Sequence, residues 1–228
     1  MTARKTPDLS TTNSSTNSST SSSTKRNAFG EIVSSSITTV VAQVWQSENS
    51  SLEPIFKPRF GSFVAIESDD LALRTFGIVF NVITGSPDSV HKPWALGMTR
   101  EQLRVEQPHI FSLLRTEVHA AVVGFQEGGA IYQNLPPQPP DVHDFVYPAT
   151  VDEVLSMTQS FEFLRLLVHV TAVPADELLT ATIREAHRVR GNDDRFLVSA
   201  GQALSNLMQN DYDRLISLLR KIKPVVAT

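Results

Sequence analysis

The spacing of apolar positions changes once along this chain, at residues 135–147, which read LPPQPPDVHDFVY. Before that stretch, apolar residues come in short runs bounded by turn formers, the pattern of strands. Residues 37–45 (ITTVVAQVW) are β-branched and aromatic-rich, and 61–66 (GSFVAI) follow a turn at 58–61. Residues 75–84 (TFGIVFNVIT) alternate for part of their length and end at Gly85-Ser86-Pro87-Asp88. Residues 120–126 and 130–135 flank Glu127-Gly128-Gly129, a hairpin signature. A helical insertion interrupts these strands. Thr99-Arg100-Glu101-Gln102 forms a capping box that opens a helix ending before Pro108, and residues 109–116 (HIFSLLRT) predict a second short helix.

After residue 147 the period becomes helical. Thr150-Val151-Asp152-Glu153 is another capping box, with Leu155, Phe161, Leu164, Leu167 and Val168 on one face of the helix it opens. Pro174 suits the first position of the next helix, Asp176 and Glu177 its first turn, and Gly191 its end. Asn192 or Asp193 can cap a third helix through Leu207, and Asp211 a fourth that stops before Pro224. Leu178, Ile183, Phe196, Leu204, Leu207, Leu215, Leu218 and Leu219 supply a shared core. The fold class expected is α+β: a small β-barrel with a helical insertion over 28–150, then a four-helix region over 151–228. Between them, four prolines around Gln138 fix φ and remove backbone donors, so 135–147 reads as an extended strap.

Residues 1–27 form a separate region. Residues 10–24 are entirely Ser, Thr and Asn, have nothing apolar to bury, and read as a disordered tail. The tail is also basic and nearly free of acid, which leaves a plastid transit peptide, and hence the stroma, as the alternative to a cytoplasmic chain. Charge divides along the chain. Residues 28–150 carry 13 acids and 7 bases, a net of −6, whereas 151–228 carry 10 acids and 9 bases. Such a balance lacks the basic face of a nucleic-acid binder, and direct nucleic-acid contact is not expected. No cysteine is present, which excludes disulfides and thiolate chemistry. No apolar run reaches the roughly 18–20 residues of a membrane span.

The runs Phe60-Gly61-Ser62-Phe63-Val64, Phe76-Gly77-Ile78-Val79 and Thr84-Gly85-Ser86 resemble the HAS-barrel, the β-barrel at the front of HerA-type hexameric ATPases. That barrel is related to the N-terminal barrel of rotary ATP synthase subunits. Leu113-Leu114-Arg115-Thr116, the strap, and Asp211-Tyr212-Asp213-Arg214-Leu215 resemble a stand-alone cyanobacterial HAS-barrel family. The resemblance covers roughly residues 28–222. It implies an accessory role, in which the barrel packs in a ring of its own copies or docks a partner such as a HerA-like ATPase. The motor itself does not carry over, because no G-x-x-x-x-G-K-[ST] string exists to cradle phosphates. No cofactor is expected.

Candidate chemistry is sparse. His91, His109, His119 and His143 lie in the β-half, with Glu117 two residues before His119 and Asp144 beside His143. Glu117, His119, His143 and Asp144 would form a metal- or small-molecule-dependent site if they converged, but no H-x-x-x-H or H-E-x-x-H pairing is present. The alternative for His143 is structural, anchoring the strap through a backbone carbonyl that the prolines leave free. Pro136, Pro137, Pro139 and Pro140 contain the P-x-x-P spacing of an SH3-type ligand, yet Leu135, Val142, Phe145, Val146 and Tyr147 around them favour packing on the barrel. Arg115 and these strap residues are the candidate structural or interface positions. Asp69-Asp70 reads as a solvated turn, no G-x-S-x-G elbow occurs, and Arg220-Lys221-Ile222-Lys223 suits a helix C-terminus. Trp45, Phe56, Phe60 and Trp94 are expected in the core.

Overall fold

The computed structural model describes residues 27–45, 56–68, 73–86 and 94–223. The N-terminal tail, Asp69-Asp70, the Pro87-Asp88 half of its turn, and His91 lie outside them. Seven strands form one antiparallel sheet: β1 (Gly30–Ser35), β2 (Thr39–Val44), β3 (Phe63–Glu67), β4 (Arg74–Gly85), β5 (Arg115–Glu127), β6 (Ala130–Tyr132) and β7 (Phe145–Pro148). Their order is β2-β1-β7-β3-β4-β5-β6, and an additional β2–β5 pairing closes six of them into a barrel. Closure leaves only β6, paired to β5 alone, with a free edge.

Side-chain alternation builds two cores from these strands. Ile32, Val40, Ala42, Val44, Val64, Ile66, Val118, Ala120, Val122 and Val146 fill the barrel interior. Phe63, Ala65, Phe76, Ile78, Ala121 and Val123 point outward from β3, β4 and β5 and are buried by helices. Those three strands are therefore apolar on both faces, which is why their sequences run nearly continuously hydrophobic. The helices covering them are α3 (Val151–Met157), α4 (Phe163–Val168), α5 (Ala175–Val189), α6 (Asp194–Leu207) and α7 (Tyr212–Ile222). Met157, Phe163, Leu167, Leu178, Leu179, Ile183, Leu204 and Leu218 join the outward strand residues in one cluster. The barrel and the helices thus share a core across residue 150.

Several local expectations change. Strand β1, absent from the periodicity reading, pairs with both β2 and β7. Its run GEIVSS is too polar to signal a strand. The end of the strap becomes β7, inserted between β1 and β3, so the proline segment leads into a central barrel strand. The insertion folds as α1 (Arg100–Glu106) and α2 (His109–Leu113), while Arg115 and Thr116 already belong to β5. The helix opened by Thr150 is not continuous to Val168; it stops at Met157 and restarts at Phe163. Five helices therefore follow the barrel among the described residues, where the sequence predicts four. Leu219 is partly exposed instead of buried, and Ile222, Met208 and Ala200 take its place in the core.

Glu153 ties the two layers together. Its carboxylate accepts from the Thr150 N–H (2.7 Å), completing the capping box of α3, and also meets Arg74 of β4. Arg74 in turn reaches Glu67 (3.5 Å) and lies over the Tyr147 ring of β7. Across the helical layer, Arg214 of α7 donates from both Nε (2.8 Å) and Nη2 (2.7 Å) to Asp176 at the start of α5.

Candidate interaction surface

The strap is seated on the barrel at its two ends. Pro136 and Pro140 are buried, Pro139 is half-buried and Pro137 is exposed, while Leu135 packs against the barrel-interior cluster. Past the prolines, the Asp141 N–H donates to the Asp144 carboxylate (2.9 Å), and the Asp144 N–H to the Asp141 carbonyl (3.2 Å). That tight turn carries His143 at φ 78°, an uncommon conformation outside glycine. The His143 N–H donates to the Ile32 carbonyl and the Ile32 N–H to the Asp144 carbonyl, each at 2.9 Å. The main chain of His143 therefore carries the anchoring. Its ring does not take a carbonyl freed by the prolines; Nδ1 lies 3.2 Å from Glu31 Oε2 on the surface.

Glu31 gathers a small exposed cluster. Its other oxygen accepts from Trp45 Nε1 (3.1 Å), and the Trp45 ring meets Phe145 edge-on at 5.6 Å. Strand register carries the cluster across the barrel wall, since Glu31 pairs with Gln43 and Gln43 with Glu117. Glu117 and His119 share the outer face of β5, with Glu117 Oε2 3.7 Å from His119 Nε2. His119 Nε2 is buried without a hydrogen-bond partner, and its ring stands edge-on to Phe80 at 5.9 Å. Glu117–His119 and Glu31–His143 are separate pairs on different strands. Among the described residues, no three His, Asp or Glu side chains converge as metal ligands. The four-residue site suggested by spacing is not assembled: Asp144 serves the strap turn, and His143 faces Glu31.

Arg115 is also spent locally. Its Nη1 donates to the Ser112 (2.9 Å) and Leu114 (3.1 Å) carbonyls, closing the end of α2 as the chain enters β5. Two polar side chains that spacing did not single out hold the break between α3 and α4. Arg190 donates through Nη2 to the Leu155 (2.9 Å) and Thr158 (3.1 Å) carbonyls and through Nε to Thr158 Oγ1 (2.9 Å), while stacking over Phe196 at 4.7 Å. Gln133, just past β6, donates to the Met157 carbonyl (2.7 Å) and accepts from the Phe163 N–H (3.2 Å). These bonds satisfy the carbonyls and N–H groups that two helix ends leave open. Both partners are reached only through tertiary folding, so no local sequence signal marks them.

The large aromatics fall outside the core. Trp45, Phe56 and Phe60 are about two-fifths exposed and Trp94 is 82% exposed, against the expectation of burial. Trp94 opens the insertion, where Leu96, Met98, Val105 and Leu113 are exposed too, and α1 buries no residue at all. The insertion holds its shape through the Thr99–Gln102 capping box and through Arg100 and Arg104 lying over Phe111, its one buried side chain. Among the described residues no helix is long and apolar enough to cross a membrane. The fold defines an α+β protein whose closed antiparallel six-stranded barrel is filled by side chains. No protein-family model matches the chain, and no curated protein matches it.

Proposed function

We propose that this protein is a non-catalytic interaction module, whose barrel and insertion dock a protein partner or further copies of the chain. The observation carrying this reading is the placement of Trp45, Phe56, Phe60 and Trp94, with the apolar insertion, on the surface of a fold whose two cores are already filled. Exposed aromatics on a well-packed scaffold are the raw material of interfaces. A closed barrel offers almost no strand edge, so recognition runs through outward side chains. The HAS-barrel resemblance of 60–64 and 76–79 adds the kind of partner, a HerA-like ATPase, or a ring of its own copies. Light scattering on the purified protein, with and without such an ATPase, tests this reading together with an ATP-hydrolysis assay. A ring-sized particle or a stoichiometric complex supports it; metal-dependent ATP turnover by the protein alone overturns it.

One observation favours a second reading, a small-molecule or metal-dependent site. His119 Nε2 is buried, unpartnered and adjacent to Glu117. Zinc titration by calorimetry tests it: a stoichiometric heat lost in H119A supports the site, and no heat removes it.

A further inference from the structure

The seam between barrel and helices contains a groove of about 290 Å³, floored by Phe63, Val64, Pro148, Ala149, Val154 and Val189. Its rim is charged, with Lys57 and Arg59 on the approach to β3, and Glu185 and Arg188 on α5. Arg59 lies 3.4 Å from Glu185, and Arg188 also bonds the same carboxylate. Glu185 is only 14% exposed in its side chain, whereas Arg59 is 66% and Arg188 54% exposed. One enclosed acid therefore holds two guanidinium groups whose remaining donors face solvent. With Lys57 the rim carries three cations against one acid, a net of +2, inside a half of the chain whose own net charge is −6.

The groove is built before anything enters it. Gly61 has φ +82°, and a Cβ there would stand 2.6 Å from the Ala181 carbonyl carbon and 2.7 Å from the Thr182 nitrogen. The turn bearing Arg59 is thus pressed against the α5 backbone, one helical turn before Glu185. The Gly61 N–H donates to the Val79 carbonyl (2.8 Å), the Val79 N–H returns to the Ser62 carbonyl (3.0 Å), and Ser62 Oγ donates to the Arg59 carbonyl (2.7 Å). A rigid wall lowers the ordering cost of binding.

We propose that this groove is the docking site for an acidic segment of a partner protein, one that inserts an apolar anchor side chain between carboxylates. The inference rests on the interaction-module reading and assigns that module its surface. Charge complementarity selects the segment: the carboxylates meet Lys57, Arg59 and Arg188, whose planar guanidinium groups favour carboxylates. The apolar floor takes the anchor, and a volume of about 290 Å³ suits one or two side chains.

The test is selection from a random peptide-display library on the immobilised full-length protein, followed by fluorescence polarisation with the enriched peptides. Enriched sequences are expected to be acidic with one or two large apolar residues. Their affinity should fall about tenfold in the K57E/R188E double variant. It should fall similarly between about 50 and about 300 mM salt. Unchanged thermal melting of K57E/R188E would show that the loss is not unfolding. Enrichment of basic or neutral peptides, or equal binding to K57E/R188E, would overturn the groove while leaving the module reading in place. No enrichment, together with a monomer that fails to bind the candidate ATPase, would overturn both.

Discussion

Arg190 holds four acceptor contacts where a helix ends under the barrel. Removing it strands the carbonyls of Leu155 and Thr158 and the buried Thr158 hydroxyl, and charged hydrogen bonds of this kind contribute about 1.5–3 kcal/mol each before overlap is counted. R190A is expected to lose about 3 kcal/mol in urea unfolding, and a loss below about 0.5 kcal/mol would show that water replaces the guanidinium. Gly61 is the other position where one atom decides. G61A combines a positive φ with contact against the α5 backbone, so a loss of about 3 kcal/mol or more is expected. At Gly128 and Gly129 a Cβ meets nothing within 4 Å, so alanine there should cost only about 1 kcal/mol, the conformational part alone. The hairpin glycines were legible because a turn is a local matter. Arg190 was not, since its acceptors lie 32 and 35 residues away and a carbonyl carries no residue code.

Arg214 gives the one resolved titration shift. Its hydrogen bond to Asp176 raises the guanidinium pKa above its ordinary value, against an opposing desolvation, with Asp176 and Asp211 adding attraction. A raised pKa places the stabilisation below the unfolded-state value and removes it only above that range. The effect of D176N on unfolding is therefore expected to stay constant from about pH 7 to about pH 10, where arginine remains protonated. A D176N effect that shrinks across that window would mean another group carries the interaction.

Among the elements, α3 and β7 define the seam. Glu153 caps α3 and pairs with Arg74 of β4, two roles that single substitutions can separate. E153Q retains an oxygen for the Thr150 N–H but loses the charge, whereas E153A loses both. A double-mutant cycle between Arg74 and Glu153 should return about 1 kcal/mol of coupling, with E153A losing about 1 kcal/mol more than E153Q. Equal losses would mean that the cap contributes nothing. Both capping boxes were readable, because a Thr and its Glu or Gln three residues on bond within one turn. The break at Thr158 was not readable: Leu155, Phe161, Leu164, Leu167 and Val168 satisfy one helical face, and it is Arg190 and Gln133 from elsewhere that stabilise the interruption. Strand β7 was hidden for a related reason. Its four residues follow a proline run and gain their ladder bonds only when β1 and β3 flank them.

Taken whole, the molecule joins a filled barrel to a helical layer through one shared core and leaves its aromatics outside. Trp94 and Val105 are each 82% exposed, so W94A and V105A should change unfolding free energy by no more than about 0.5 kcal/mol. If either lies in an interface, the same variants should weaken complex formation in light scattering while melting stays put. A large loss of stability in W94A would instead return that tryptophan to a structural role. Which aromatics remain outside was invisible in one dimension, because Phe29, Phe63 and Phe76 carry the same hydrophobicity as Phe56 and Phe60 and are buried.

Local chemistry wrote the strand-rich half, the helical half, the caps and the hairpin directly into the chain, since each depends on residues within a few positions of one another. Closure of the barrel by β2–β5 pairing, insertion of β7, division of the first helix, and the gathering of Lys57, Arg59, Glu185 and Arg188 around one groove arise only in three dimensions. The reason is common to all four: hydrogen-bond partners, strand neighbours and counter-charges more than a hundred residues apart leave no period in the sequence, and become neighbours only when burial of the two cores brings them together.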